Sequence, residues 1–93
     1  MNDNQKSTDK ATILKEMVTE LFNEPHNPLK YLYREITIEC SNLKGEYFAT
    51  SYHTEDKKSR RESLYNIKSV DELYEKIIEF IRASFEHFNI PYK

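Results

Sequence analysis

Three histidines, one cysteine and a spaced pair of glutamates are the side chains that could do acid–base, nucleophilic or metal chemistry in this sequence. Their spacing offers little. His26, His53 and His87 fall on a loop, a strand and a helix, and none stands at i, i+4 from another ligand type, so there is no metal signature. Cys40 falls on the core side of an alternating strand, where a thiol is usually an inert small hydrophobe. Strand parity predicts His53 on the opposite side, which separates a Cys40–His53 dyad. Glu35 and Glu39 face the same way, but a carboxylate pair on a strand is usually a wet surface. Gly45 is the single glycine, which excludes a glycine-rich phosphate loop. No constellation of the kind an active site needs is present. The expectation is a protein that is not an enzyme and uses no cofactor or metal.

Two surfaces are expected to bind something. Lys57, Lys58, Arg60 and Arg61 crowd into five positions, and five basic against three acidic residues leave residues 55–68 at net +2. A basic tip of that kind could contact an anion or nucleic acid, with a strength that falls as salt rises, or simply be solvated. The second surface is a sheet face predicted to carry Tyr31, Tyr33, Glu35, Tyr47 and His53, flanked by Glu39. Tyrosine gives large contact area at low entropic cost and is enriched at interaction hot spots. The acidic neighbours favour a protein partner over nucleic acid.

The elements that must position these residues follow from periodicity. After a polar tail, residues 1–8, read as disordered, Asp9 is a predicted N-cap. Ala11, Ile13, Leu14, Met17, Val18, Leu21 and Phe22 then recur at helical spacing, with Glu16 and Glu20 opposite, up to Pro25. Residues 30–40 alternate, with Leu32, Ile36, Ile38 and Cys40 on one side and Tyr31, Tyr33, Glu35, Thr37 and Glu39 on the other. Asn42 and Gly45 suit the ends of a type I turn, followed by a strand from about Glu46 to Thr54. That loop length puts Phe48, Thr50 and Tyr52 on the core side and Tyr47, Ala49, Ser51 and His53 on the outer side. Residues 55–61 read as a long charged hairpin tip and Glu62 to Ile67 as a short third strand. Ser69 and Glu72 form a capping box that opens a final helix. Val70, Leu73, Tyr74, Ile77, Ile78, Ile81, Phe85 and Phe88 make its apolar stripe, with Phe80 at the edge and Pro91 as the stop.

The resulting fold class is α+β, in α-β-β-β-α order. It is a three-stranded antiparallel meander with two helices packed on one face, and residues 9–93 form one domain. The 93 residues allow one domain with a thin core, and 38% apolar against 32% charged residues excludes both a disordered chain and a membrane protein. No apolar run approaches the ~20 residues of a membrane span, and residues 1–10 have no apolar signal region. With Cys40 alone no internal disulfide can form, so the expected compartment is cytoplasmic. A net charge of −2 excludes a wholly basic nucleic-acid glove and a strongly acidic DNA mimic. The Lys, Asn, Ile and Tyr bias hints at a low-GC bacterium or its mobile elements.

The α-β-β-β-α order resembles that of the double-stranded-RNA-binding domain. Where that family carries a Lys-Lys pair at the start of its last helix, this chain has Val70, Asp71 and Glu72. Three strands followed by a helix also resemble the small arm-binding domains of some phage integrases, whose sheet face is basic where this one carries Glu35 and Glu39. Neither family's motif is matched, and neither family is claimed. The functional expectation is a small protein that associates stoichiometrically with another protein, as inhibitors, immunity proteins and anti-defence proteins do. The alternative is a nucleic-acid-binding regulator using residues 57–61. A homodimer through the outer face or an edge strand would bury the same surface.

Overall fold

The structure is a computed structural model that describes residues 10–24 and 28–91. The tail 1–8, the cap at Asp9, Pro25 and His26 lie outside the described residues. The element order is α1 (Lys10–Asn23), β1 (Leu29–Tyr33), β2 (Ile36–Leu43), β3 (Glu46–His53), β4 (Lys58–Leu64) and α2 (Val70–His87). The α+β class is as expected, but the sheet has four strands in the order β1-β2-β3-β4, all antiparallel. The extra strand also departs from both orders with which the chain shares a resemblance.

The added strand comes from a hairpin inside residues 30–40. Tyr33 pairs with Ile36 across a two-residue turn, and Arg34 takes φ +56° there. An Arg-Glu turn carries none of the Asn, Asp or Gly that normally marks a positive φ, so the alternation of residues 30–40 gives no local sign of it. An even turn also brings Tyr33 to the same side as Ile36. Tyr31 and Tyr33 therefore lie on the helix side, opposite Ile38 and Ile36, and Leu32 turns out to solvent, 65% exposed.

A second parity change occurs at the next turn. Leu43 stays in the strand, paired with Glu46, so the turn is only Lys44-Gly45. Their φ values of +56° and +89° are those of a type I′ turn, whose twist matches the strands it joins. The register becomes Ile36↔His53, Ile38↔Ser51, Cys40↔Ala49 and Asn42↔Tyr47. Tyr47, Ala49, Ser51 and His53 are buried under the helices, and Phe48, Thr50 and Tyr52 face outward, the reverse of the expected assignment. A one-residue slip is enough to exchange every side chain between faces.

The charged segment is also shorter as a loop than expected. Lys58, Arg60 and Arg61 belong to β4, which runs to Leu64, and only residues 54–57 form the tip. Residues 65–67 lie beyond the strand.

Both helices cover one face, α1 over β1 and β2 and α2 over β3 and β4, and they pack on each other. The shortest dimension, 19 Å, is that of one helix layer on one sheet. Leu14, Val18 and Leu21 from α1 meet Leu73, Ile77, Phe80, Ile81 and Phe85 from α2, its C-cap Phe88, and Ile36, Ile38, Cys40 and Ala49 from the sheet. Phe80, expected at the stripe's edge, is fully buried. Ser69 caps α2 by accepting a bond from the Glu72 N–H at 3.1 Å, and Glu72 Oε1 reaches back to the Lys68 N–H at 2.7 Å. The helix stops at His87, before Pro91. Asn89 takes φ +61°, its N–H bonds Glu86 O at 3.1 Å, and the Ile90 N–H bonds Phe85 O at 2.8 Å. That pair of bonds is the Schellman arrangement, which satisfies the last carbonyls of the helix.

Candidate functional site

The face of the sheet opposite the helices is uncovered among the described residues. Register places its side chains in rows across the strands. Leu32, Thr37, Tyr52 and Ser59 form one row, and Lys30, Glu39, Thr50 and Arg61 the next. Ser41, Phe48 and Ser63 form a third, and Leu43 and Glu46 close the far end. Leu32, Leu43 and Tyr52 are exposed by 65%, 58% and 43%, and Phe48 is half-buried. Leu32 and Tyr52 stand two strands apart, about 10 Å at the usual strand spacing. The Arg61 guanidinium lies 4.9 Å from the centre of the Phe48 ring. The row through Glu39 sets Lys30 directly across from it, so the face carries both signs of charge between its apolar ends.

The residues expected to line this face are largely elsewhere. Tyr31, Tyr47 and His53 are 8%, 6% and 5% exposed, on the helix side. Tyr31 stacks with Tyr33, whose ring meets Phe85 edge-on at 5.7 Å, and Tyr47 stacks parallel to Phe22 at 6.4 Å. Burial pushes the Tyr47 phenol above its ordinary range. Glu35 is exposed, but in the β1–β2 turn, where it pairs with Arg34 Nε at 3.2 Å. The aromatic platform that tyrosine content promised is thus core. The sequence sign that would have found the outer face is Leu43, a strand residue beside Lys-Gly, which shortens the turn to two residues.

The basic cluster is divided by the pleat. Arg60 points to the helix side. Its Nη1 donates to Ser84 Oγ at 3.2 Å and Phe80 O at 3.4 Å, its Nη2 pairs with Glu62 at 2.8 Å, and its guanidinium covers the Phe80 ring at 4.7 Å. It holds β4 to α2. Arg61 is on the outer face, and Lys57 and Lys58 are exposed at the β3–β4 end, with Lys57 at φ +55° in the tip.

The acid–base groups do not assemble. Cys40 and His53 prove to share the helix side, but Cys40 is opposite Ala49, four residues along β3 from His53, or about 13 Å at the strand rise. Burial, with the nearby Glu39 charge adding to it, pushes the Cys40 thiol from 9.0 up to about 12, so it is not a ready nucleophile. His53 packs against Phe88 with ring centres 5.6 Å apart. Its Nδ1 lies 3.1 Å from Asp56 Oδ2, within ion-pair reach, yet not in hydrogen-bonding geometry. Among the described residues, no group of three His, Cys, Asp or Glu side chains is placed to hold a metal ion. No helix of the described residues is long and apolar enough to cross a membrane.

Comparison of the chain with known protein families, with curated proteins and with solved structures finds no match.

Proposed function

We propose that this chain is a small non-enzymatic binding protein that associates stoichiometrically with another protein through the uncovered sheet face. It fits an inhibitor, immunity or anti-defence protein of a low-GC bacterium or its mobile elements, working in the cytoplasm. One observation carries this reading: Leu32 and Tyr52 stand exposed in one row of a sheet face that is uncovered among the described residues. Aliphatic and aromatic surface of that kind gains by being taken out of water, and a protein surface can take up both. The rows beside it, with Lys30, Glu39 and Arg61, would set orientation. Capture from a low-GC host extract by the parent chain and by Leu32→Ala/Tyr52→Ala tests it. Selective loss of a partner in the variant supports the face, and retention of every partner rejects it. Sizing of the purified chain decides whether that partner is a second copy.

A second reading has one observation in its favour. Arg61 and Lys58 are exposed on β4, and Arg61 shares the outer face with Phe48 and Tyr52, the pairing of charge and ring that holds single-stranded nucleic acid. A mobility-shift titration at two salt concentrations separates it from the first. Binding that weakens steeply with salt and is lost in Lys57→Ala/Lys58→Ala/Arg61→Ala supports it. Absence of a shift at low salt removes it. Arg60 is left intact because its contacts are structural.

A further inference from the structure

We propose that the free edge of β4 is a strand-addition site for an extended acidic segment of a partner protein. The inference rests on the reading that this chain binds protein, but it uses a different surface. The backbone geometry comes first. The two-residue turn at Lys44-Gly45 makes Leu43 and Glu46 a hydrogen-bonded pair, and such pairs alternate along an antiparallel ladder. Tyr47, Ala49, Ser51 and His53 therefore direct their backbone groups to β4, where Leu64, Glu62, Arg60 and Lys58 answer them. Ser59, Arg61 and Ser63 direct N–H and C=O away from the sheet. Among the described residues β4 pairs on one side only, so these groups form a template for one more strand.

Space and charge then select the occupant. Between β4 and α2 runs a groove of ≈ 440 Å³ lined by Glu62, Leu64, Lys76, Glu79, Phe80 and Ala83. Beside Leu64, Phe80 and Ala83 it can receive apolar alternate side chains of an added strand, while the acidic ones lie beside Ser59, Arg61 and Ser63 on the outer face, away from Glu62 and Glu79. The first half of the strand is basic: Lys58 and Arg61 are exposed there, with Lys57 adjoining. A second copy gains less. The longest antiparallel registers of β4 on its own copy set Arg60, Arg61 or Glu62 against itself, and the Arg60–Glu62 pairing that full overlap offers in return is already made within the strand at 2.8 Å. The β1 edge of another copy has Lys30 as its one charge, again basic. An acidic strand from another protein meets the same edge with opposite charge. The exposed Lys58 and Arg61 thus favour an acidic partner.

The probe is a short synthetic peptide alternating Glu and Val, added to the isotope-labelled full chain. Amide exchange is read by NMR. The expected result is slowed exchange at Ser59, Arg61 and Ser63 with little change at Arg60 and Glu62, whose amides already bond to β3. At a peptide concentration about ten times Kd the slowing is about tenfold, because exchange is confined to the free fraction. Lys58→Glu/Arg61→Glu, both surface changes, abolishes the effect and transfers it to a peptide alternating Lys and Val. Three results would overturn the proposal: no response, equal responses to the acidic and basic peptides, or shifts centred on Leu32 and Tyr52. It also falls if a single-stranded oligonucleotide moves the same amides without the alternation, since β4 is then a phosphate contact. Should partner capture be lost in Leu32→Ala/Tyr52→Ala while the peptide leaves β4 unmoved, the sheet-face reading stands and this one alone fails.

Discussion

The Ser51 hydroxyl donates a hydrogen bond to the Ser84 hydroxyl at 2.8 Å, in a position where both residues are fully buried. The Ser84 hydroxyl donates in turn to Phe80 O at 2.8 Å and accepts from Arg60 Nη1 at 3.2 Å. One helix hydroxyl therefore ties α2 to both β3 and β4. Such a group contributes modestly when satisfied and costs more when half of the pair is left behind.

Ser84→Ala removes the common acceptor and leaves the Ser51 hydroxyl buried without its partner. The expected cost is about 1–3 kcal/mol in urea unfolding. Adding Ser51→Ala removes the orphan, so the double variant costs less than the two single changes summed. Simple additivity would mean that the two hydroxyls are not coupled.

The register predicts an asymmetry between the two tyrosines of β3. Tyr47→Ala empties a buried site stacked on Phe22 and should cost about 3 kcal/mol. Tyr52→Ala changes an exposed side chain and should stay within about 0.5 kcal/mol. Denaturation midpoints of the two variants compare them directly. The opposite ordering would restore the face assignment expected from a longer turn.

Asn42 serves two elements at once. Its Nδ2 donates to Leu21 O at 2.9 Å, a carbonyl in the last turn of α1, and its Oδ1 accepts the Gly45 N–H at 2.9 Å. Asn42→Ala strips both groups of partners and should destabilise by about 2 kcal/mol. Asn42→Asp keeps the acceptor for Gly45 and loses the donor for Leu21. In hydrogen exchange the turn amide should stay protected in that variant while the end of α1 frays.

Alkaline pH should weaken the fold through Cys40. Its folded thiol titrates at about 12 rather than 9.0, because burial disfavours the thiolate. Below pH 9.0 both states hold the proton and stability is unaffected, whereas between 9.0 and about 12 only the folded state holds it. The unfolded chain then binds fewer protons, so stability falls as pH rises, by up to ~1.4 kcal/mol per pH unit. The raised Tyr47 phenol adds the same sign. Cys40→Ala should flatten the profile over this range, and an unchanged slope would place its cause elsewhere. At neutral pH the native thiol should resist alkylation until denaturant is added.

The local punctuation of this chain is legible without its structure. Ser69 and Glu72 start α2, and the stripes through Leu14, Val18 and Leu21 and through Leu73, Ile77 and Phe85 identify the faces the helices bury. Cys40 reads correctly as a core residue. These rest on contacts within one or two turns, which sequence spacing specifies directly. The composition of the outer sheet face is not legible, because it depends on the parity of two hairpin turns. Arg34 accepts a positive φ with its guanidinium held by Pro91 O at 2.8 Å and set over the Phe85 ring at 4.9 Å. Those contacts lie some fifty residues away in the chain, so no local pattern announces them. Once Tyr33 and Ile36 share a face, and Leu43 pairs with Glu46, the tyrosines go inward and Leu32 and Tyr52 go outward. The sequence by itself determined the two helices, their apolar stripes and the cap that opens α2. The tertiary structure alone decided which side of each strand meets water, because a one-residue change of register exchanges the two faces of a sheet.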